Sequence, residues 1–207
     1  MRILKRGAEA VIYSEEVDGQ KFLVKERVKK RYRLAQIDER LRGQRTRQEM
    51  RLMTAARGYG ILTPKIISSD EASHKIVMEE VHGTVMKDFL KSKKSFEKTC
   101  FILGANIGNL HSAGIIHGDL TTSNLIVSGA KIYFIDFGLG QFSKRIEDMA
   151  TDLSVLQETL VATHNKISGK CWGSIRRGYA SENARHAEVF GRMEKIESRA
   201  RYRERPP

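Results

Sequence analysis

The sequence predicts an α+β protein built as two small lobes with a cleft between them. Two observations favour this class. The residues before Gly83 read as short strands around one main helix, whereas those after Gly83 read mostly as helices. A chain of 207 residues is also long enough for one ordinary domain or for two small lobes. We therefore expect a first lobe at residues 1–82 and a second lobe at residues 83–207.

Apolar and β-branched runs, separated by turn signals, predict the elements of the first lobe. These are strands at residues 10–13 and 21–25, a helix at residues 46–57, and strands at residues 65–67 and 75–78. Asp18-Gly19 between the first two runs is a strong hairpin signal. Gly58 is a helix-stop signal directly after the predicted helix. A sheet with one helix packed on it follows from this pattern.

In the second lobe the apolar residues recur mainly at helical spacing. Leu103, Ile107 and Leu110 lie on one face of a predicted helix at residues 98–113, which Gly114 closes. Two short strands, at residues 125–127 and 131–134, flank a turn, and helices are predicted at about residues 148–164 and 179–203. The second lobe should therefore be helical apart from one strand–turn–strand unit.

Composition and charge exclude several classes of protein. The chain is 40% hydrophobic and 30% charged, and no stretch approaches the roughly 18 apolar residues that a membrane span needs. With no signal-peptide pattern at the start, we expect a cytoplasmic protein that does not contact a membrane. Cys100 and Cys171 lack metal-ligand spacing, and two buried thiols are expected rather than a disulfide. The net charge of +12 favours a polyanionic partner, although a solvated basic surface would also explain it.

The strongest chemical signal is the segment HGDLTTSN at residues 117–124, followed by Asp136-Phe137-Gly138. Asp119 and Asn124 have the spacing of a phosphotransfer loop, in which the aspartate accepts the proton of the incoming hydroxyl. Asn124 and Asp136 offer the oxygen ligands that Mg²⁺ prefers. Either aspartate alone would be interpreted as a turn or capping residue. Their combination around a strand–turn–strand unit is specific and predicts phosphoryl transfer.

A second group of residues is predicted to hold the nucleotide. Lys25 ends an apolar strand, where a lysine pairs with the α- and β-phosphates, and Glu49 on the following helix is its expected partner. The predicted nucleotide contacts are Gly7, Ala8, Glu9, Ala10, Ile12, Lys25, Glu49, Met78, Glu79 and Val81. The covering loop at residues 7–10 is a weak signal, and the segment at residues 78–81 is either an adenine-binding hinge or a plain connection between lobes. Asp152 either braces the catalytic loop or caps a helix.

Together these residues resemble the protein-kinase superfamily over essentially the whole chain. Gly118 replaces the usual arginine and Thr121 the usual lysine, and no Ala-Pro-Glu motif follows Gly138. Control by a phosphorylated activation loop is therefore not expected, and little platform remains for a peptide substrate. With GAEA at residues 7–10 and DFGLG at residues 136–140, the chain is similar to the small atypical kinase subunit of the KEOPS complex. The fold expected is a minimal bilobal protein-kinase-like fold whose second lobe lacks a full activation segment.

The resemblance implies ATP and Mg²⁺ as cofactors, with catalytic roles for Asp119, Lys25 and Asn124, and metal binding by Asn124 and Asp136. It implies autophosphorylation on serine or threonine, and ATP hydrolysis that serves a threonylcarbamoyl transferase acting next to the tRNA anticodon. The transferase is expected on the second lobe and a small regulatory subunit on the first. Two basic regions would contact tRNA: residues 25–51, with eleven Lys/Arg against four Asp/Glu, and a tail with Arg199, Arg201, Arg203 and Arg205.

Three other functions were compatible with parts of the pattern. Small-molecule phosphotransferases of the aminoglycoside or choline kinase type share the HGDxxxxN loop, but the second lobe is too short for their usual helical insert. A RIO-like kinase in ribosome assembly is a near neighbour, disfavoured by the intact Asp136-Phe137-Gly138. A non-catalytic scaffold is disfavoured because Lys25, Asp119, Asn124 and Asp136 are all retained. The basic tail has its own alternative, a solvated helix end.

Overall fold

The computed structural model describes residues 2–7, 9–17, 19–92 and 96–203, and for residues 17 and 199–203 the backbone only. Five strands form an antiparallel sheet in the order β1-β2-β3-β5-β4. They are β1 (Arg2–Arg6), β2 (Ala10–Val17), β3 (Gln20–Arg27), β4 (Ile66–Asp70) and β5 (Lys75–Glu79). One helix, α1 (Ala35–Gly58), is inserted between β3 and β4.

The predicted hairpin is confirmed, and it places two basic residues on one face of the sheet. In the β2–β3 pair, Ile12 lies opposite Lys25 and Ala10 opposite Arg27. Because side chains alternate along a strand, Lys25 and Arg27 point the same way, and both are buried. Strand β1 was not predicted, since all of its residues are exposed and show no alternation of apolar and polar side chains.

Helix α1 is longer than the 46–57 segment predicted for it. It begins at Ala35, after an N-cap residue that makes no side-chain capping bond, so its first turns carry no start signal. Its buried residues include Glu49, Leu52, Met53 and Ala56, at the spacing of one helix face. This face packs on the sheet and brings the Glu49 carboxylate beneath β3.

Most residues of the remaining elements are helical, as predicted, but three two-residue strands accompany the predicted strand pair in the described part of the chain. The remaining elements are β6 (Thr84–Val85), α2 (Met86–Ser92), α3 (Glu97–Ser112), β7 (Ile115–Ile116), β8 (Leu125–Ser128), β9 (Lys131–Phe134), β10 (Gln141–Phe142), α4 (Ile146–Glu182) and α5 (His186–Arg203). Two small sheets, β6-β8-β9 and β7-β10, join them. The five-stranded sheet ends at Glu79 and the next element starts at Thr84, which is compatible with the predicted boundary between residues 82 and 83.

The predicted break between residues 164 and 179 is wrong. Helix α4 runs through this segment and only kinks at His164, where φ is −133° and ψ is 38°. Glycines at positions 169, 173 and 178 lower the helix propensity of the segment, but tertiary packing overrides that local preference. The helical chain is interrupted later, between Glu182 and His186.

That packing is a close contact between α3 and the second half of α4. A Cβ atom on Gly104 would lie 2.0 Å from the Ile175 carbonyl oxygen, and one on Gly178 would lie 1.9 Å from the Phe101 carbonyl oxygen. At each of these two contacts, a glycine of one helix thus lies directly against the backbone of the other helix. Leu103, predicted to face inward, is buried beside this contact. The glycines that weaken α4 locally are what allow it to pack this closely.

We predict that Gly178→Ala lowers the free energy of unfolding by about 2 kcal/mol, because the new methyl group forces the helices apart. Gly169→Ala is the matched control in the same helix, since a Cβ there meets nothing within 4 Å. Its higher helix propensity should stabilise the protein by up to about 1 kcal/mol. Urea denaturation checks both values, and equal effects of the two substitutions would contradict the packing described.

Two further sequence expectations can be compared with the structure. Cys100 and Cys171 are both buried free thiols, as predicted. Among the described ranges, no helix combines the length and the apolar character that crossing a bilayer requires.

Candidate active site

A cavity of about 320 Å³ opens between the five-stranded sheet and the segments that follow β7 and β9. Its lining residues are Lys5, Gly7, Glu9, Ala10, Ile12, Lys25, Arg27, Arg45, Asp119, Asp136, Gly138 and Leu139. Basic and acidic side chains thus face each other across one volume. Much of the predicted set, from both halves of the chain, converges here.

Lys25 links the two halves of the site. Its Nζ donates to Glu49 Oε1 at 2.6 Å and to Asp136 Oδ1 at 2.7 Å. The expected contact between Lys25 and Glu49 is therefore present. Burial raises the pKa of the Asp136 carboxyl, but the Lys25 ammonium and the Gly138 amide outweigh it and hold that pKa below its ordinary value. The Asp136 side chain thus stays a carboxylate beside Lys25 at neutral pH.

Asn124 holds the side chain of Asp119 in place. A single 3₁₀ turn, Thr122–Asn124, returns the chain toward Asp119. The Asn124 Nδ2 then donates to both the carbonyl oxygen and Oδ2 of Asp119, each at 2.9 Å. These bonds fix one carboxylate oxygen of Asp119 and leave the other, Oδ1, for an incoming group.

The same arrangement suits a hard cation. Both hydrogen bonds of the Asn124 side chain use its nitrogen, so its amide oxygen is turned away from Asp119. Asp136 uses Oδ1 to accept from Lys25 and from the Gly138 amide, which leaves Oδ2 for another partner. An amide oxygen and a carboxylate oxygen match the preferences of Mg²⁺, which completes its shell with water and phosphate oxygens. The donor chemistry of these two residues therefore fits the predicted metal, and Asp136 is the one of the two that lines the cavity.

Asp152 braces the start of the catalytic loop, one of the two roles predicted for it. Its carboxylate accepts from the backbone amides of His117 and Gly118 at 2.8 and 2.9 Å, and from His111 Nε2 at 3.2 Å. Gly118 adopts φ +81°, and a Cβ there would lie 2.1 Å from the Leu139 carbonyl oxygen. The residue that replaces the usual arginine is thus also required by the local backbone geometry.

His117 connects the loop to the segment that carries Asp136. Its Nε2 donates to the Ile135 carbonyl oxygen at 3.1 Å, while its Nδ1 accepts from the Asp119 amide at 3.3 Å. Burial lowers the pKa of the imidazole, which matches one donating and one accepting nitrogen. Its ring also packs on Phe137, with centroids 4.6 Å apart. His117 therefore positions the two acidic residues relative to each other as a neutral ring.

A hydrogen-bonded chain behind Asp152 was not predicted. Asn183 Nδ2 donates to Tyr179 Oη at 3.1 Å, and this hydroxyl lies 3.1 Å from His111 Nδ1. His111 in turn contacts Asp152. All four side chains are buried, so the loop is anchored to the end of α4. Sequence spacing gave no signal for it, because His111 lies 68 residues from Tyr179 and 41 residues from Asp152.

We predict that Asp152→Asn makes the free energy of unfolding depend less on pH in the acid range. Burial alone would raise the pKa of Asp152. The hydrogen bonds from His111 and from the His117 amide outweigh this effect, so the folded-state pKa lies below the ordinary 3.8. This contribution is present above the unfolded pKa and is lost as pH falls through the folded pKa. Urea denaturation from pH 7 to pH 3 should show Asp152→Asn less stable at pH 7 by about 2 kcal/mol, with the gap closing below pH 4. A constant gap across this range would contradict it.

Not every predicted nucleotide contact reaches the cavity. Glu49, Met78, Glu79 and Val81 are absent from its lining. Glu49 is buried and its two oxygens accept from Lys25 and Arg27, the Met78 side chain lies in the core, and the Glu79 amide already donates to the Lys65 carbonyl oxygen at 2.9 Å. A hinge role for this segment stays a prediction. Ala8, Arg205 and the side chains of Arg199, Arg201 and Arg203 lie outside the described residues.

Arg27 and Arg45 line the cavity but were not predicted. Arg27 lies two residues after Lys25 on β3, and its Nη2 donates to Glu49 Oε2 at 2.6 Å. Arg45 lies one helical turn before Glu49 on α1 and pairs with Glu9. The strand and helix periods contain this signal. It is hidden in the sequence because arginines are frequent throughout residues 25–51.

Comparison with known proteins adds a family to this geometry. The model of the RIO domain matches residues 13–153. "KEOPS complex subunit Bud32" of Pyrococcus abyssi (strain GE5 / Orsay) is 40% identical over 99% of this chain and 98% of its own length. The "Probable bifunctional tRNA threonylcarbamoyladenosine biosynthesis protein" of Methanothermobacter thermautotrophicus is 44% identical over 97% of this chain, which spans only 36% of that relative.

A solved structure supports the fold alone. "WaaP in complex with acyl carrier protein" superposes with a TM-score of 0.66 over 96% of this chain and 88% of the other, at 16% sequence identity. At this identity the likeness establishes the kinase-like arrangement of sheet and helices, and carries nothing about substrates.

Proposed function

From the premise that the chain belongs to the RIO domain family, and within it to the family of the KEOPS subunit Bud32, we propose that it is an ATP-dependent kinase and ATPase serving threonylcarbamoyladenosine formation in tRNA. The observation that carries the proposal is the double contact of Lys25. This buried ammonium touches both Glu49 and Asp136 inside a cavity that Asp119 also lines. Phosphoryl transfer in protein kinases requires the pairing of such a lysine with a glutamate, and also a metal-binding aspartate in place beside it.

ATP with Mg²⁺ would supply the transferable phosphoryl group when bound. Lys25 would hold the α- and β-phosphates, with Glu49 fixing its direction, while Asn124 and Asp136 would hold the metal through their oxygens. Ile12 offers an apolar surface in the lining, and the small residues Gly7 and Ala10 leave room for phosphate beside the backbone. The Gly7 N–H already donates to the Ala10 carbonyl oxygen at 2.9 Å, so it would have to exchange this bond for one to phosphate. The protein contributes mainly position and charge.

Asp119 acts on the acceptor. Asn124 holds one of its carboxylate oxygens, so the other is presented to the proton of a hydroxyl group or of water. A serine or threonine hydroxyl in this position gives autophosphorylation, and water gives hydrolysis. The chain has no long segment between Asp136 and α4 that would hold an extended peptide, which favours water or a hydroxyl supplied by a partner.

The match to the RIO domain family makes one alternative, a RIO-like kinase, more plausible than the sequence motifs alone indicate. RIO-like kinases were disfavoured because Asp136-Phe137-Gly138 is intact, yet the RIO domain model matches the chain through this motif. The domain and the motif therefore coexist here. Ribosome assembly remains the competing function, and it differs from tRNA modification in the partner that the protein should bind.

Affinity capture from native extract at low salt separates these two functions. The proposal expects the threonylcarbamoyl transferase, bound to the second lobe, and a small regulatory subunit, bound to the first. The match to a relative named as a KEOPS subunit over nearly its full length supports this expectation. Recovery of ribosomal precursors without the transferase would contradict it.

We predict that changing Arg199, Arg201, Arg203 and Arg205 to glutamine weakens tRNA binding and flattens its salt dependence. Each lost phosphate contact should reduce the slope of log K against log salt by about 0.9. Filter binding at several salt concentrations measures this slope. The matched control is Lys166→Gln with Lys170→Gln on α4, at positions outside the two proposed basic regions. An unchanged slope in the tail variant would remove the tail from the proposed tRNA contact.

A further inference from the structure

Three arginines surround the carboxylate of Glu9 at the edge of the cavity. Glu9 Oε2 accepts from Arg45 and lies 3.9 Å from Arg27 Nη1, while Oε1 accepts from Arg33 Nη2 at 3.4 Å. The three guanidinium groups come from β3, from the segment after it and from α1. We call Arg27, Arg33 and Arg45 the arginine cluster. It converges on one carboxylate from three directions.

The cluster belongs to the cavity and extends beyond it. Glu9, Arg27 and Arg45 line the large cavity, which they share with Lys25 and Asp119. The same three residues also line a small neighbouring space of about 10 Å³, whose far side includes Arg33. Glu9, Arg27 and Arg45 therefore border both spaces, whereas Arg33 lines only the smaller one.

Arg27 is the fixed part of the cluster. Its side chain is 5% exposed, and Glu49 accepts from its Nη2 at 2.6 Å. Its Nε is buried and has no hydrogen-bond partner among the described residues. A buried donor without a hydrogen-bond partner lowers the stability of the folded protein. The Arg27 guanidinium is therefore well suited to an acceptor with more oxygens than the single Glu9 carboxylate provides.

The charges of the cluster favour an oxyanion that has more negative charge and more acceptor oxygens than a carboxylate. Three guanidinium groups share Glu9, and Arg27 shares Glu49 with Lys25. Arg33 also lies 3.7 Å from Asp38, but that carboxylate is bound more closely by Arg42, at 2.8 Å. Arginine forks match the geometry of phosphate oxygens and bind them with charge-assisted hydrogen bonds. A phosphate group, with more charge and more acceptors, matches the cluster better than Glu9 does.

We propose that the arginine cluster is a phosphate subsite next to Lys25, and that Glu9 is its internal occupant, displaced when a phosphate oxyanion binds. The oxyanion is either the terminal phosphoryl group of a nucleotide or free phosphate. Glu9 lies in the segment between β1 and β2, so its displacement releases this segment from Arg45 on α1. The proposal rests on the proposed function in one respect, that the nucleotide occupies the same cavity.

Binding measurements test the subsite without relying on turnover. Inorganic phosphate, ADP and ATP are titrated into the purified protein by calorimetry, with folding checked by thermal unfolding. Because Glu9→Gln removes the competing charge, it should tighten phosphate-class binding about tenfold. Arg45→Gln should weaken it about tenfold, and Arg33→Gln provides a second, partly exposed position if Arg45→Gln does not fold.

The matched controls are Arg47→Gln and Glu71→Gln. Arg47 lies two residues after Arg45 on the same helix, and it pairs at 3.2 Å with Glu71 on the exposed surface. Both controls should leave every affinity unchanged. They show whether an effect comes from the cluster or simply from altering the net charge of the first lobe.

The three ligands distinguish the two sources of the oxyanion. Tighter binding of ATP but not of free phosphate by Glu9→Gln assigns the subsite to the terminal phosphoryl group, and tighter binding of both assigns it to free phosphate as well. Phosphate and ATP affinities unchanged in Glu9→Gln and Arg45→Gln would overturn the subsite, even where Lys25→Ala still abolishes ATP binding. A wild-type protein that binds phosphate through the cluster but no nucleotide would support the subsite and count against the proposed function.

Discussion

Replacing Asp119 by asparagine should reduce phosphoryl transfer and ATP hydrolysis by about a thousandfold while the protein stays folded. The amide cannot accept a proton, yet it has nearly the shape of the carboxylate, so the bonds from Asn124 to the backbone and to one side-chain oxygen can persist. Release of labelled phosphate from Mg-ATP measures the loss, and circular dichroism and urea denaturation monitor the fold.

The matched control is Asp88→Asn, at an exposed aspartate on α2 that pairs only with Lys91 in the described structure. It removes the same charge far from the cavity lining and should leave turnover unchanged. Undiminished turnover in Asp119→Asn would contradict the proposal that Asp119 is the proton acceptor. A loss of folding in that variant would instead contradict the claim that Asp119 serves chemistry more than stability.

Replacing Glu49 by glutamine should lower the free energy of unfolding by about 3 kcal/mol, because it leaves two buried cations short of a counter-charge. Glu49 is 1% exposed, and its two oxygens accept separately from Lys25 and Arg27, each at 2.6 Å. Asp136 relieves part of the cost at Lys25, whereas the other carboxylate that pairs with Arg27 among the described residues is Glu9, at 3.9 Å. Urea denaturation at neutral pH measures the change.

Glu71→Gln is the control for this second prediction, since it removes the same charge from an exposed pair and should cost less than about 1 kcal/mol. Glu49→Gln should also weaken ATP binding, because Lys25 loses the group that sets its direction. A stability within about 0.5 kcal/mol of the wild type would show that the buried network is not held by Glu49.

The residues that meet at the cavity could be selected from sequence because their signals are short spacings. Asp119 and Asn124 lie in one loop, Lys25 lies near the end of an apolar strand, and Asp136 lies two residues after another strand. Their assembly into one site required the fold, but the identity of each residue did not. The contact between Lys25 and Glu49 could be anticipated because the lysine is on a strand and the glutamate on the next helix.

Long-range features were not accessible in the same way. Arg27 and Arg45 could not be singled out in an arginine-rich segment, since nothing local separates a buried guanidinium from a solvated one. The continuation of α4 beyond His164 was missed because its glycines are unfavourable locally and favourable only against α3. The same holds for Tyr179, whose hydrogen bond to His111 joins residues 68 positions apart.

Gly118 has a structural role in addition to the one that its sequence context indicates. As a substitution for the usual arginine, it predicted a kinase that is not switched by a phosphorylated loop. In the fold it also has a positive φ and lies against the Leu139 carbonyl oxygen, while its amide donates to Asp152. The glycine thus permits a close approach between the catalytic loop and the residues after Asp136.

The proposed function is tested most directly by reconstituting threonylcarbamoyladenosine formation on tRNA with the purified transferase, its regulatory subunit and this chain. Mass spectrometry of the digested tRNA measures the modified nucleoside. The wild-type chain with Mg-ATP should restore modification, and Asp119→Asn should not, although it still assembles with the transferase. Equal modification with wild type, with Asp119→Asn and without the chain would contradict the claim that phosphoryl chemistry at Asp119 serves this reaction.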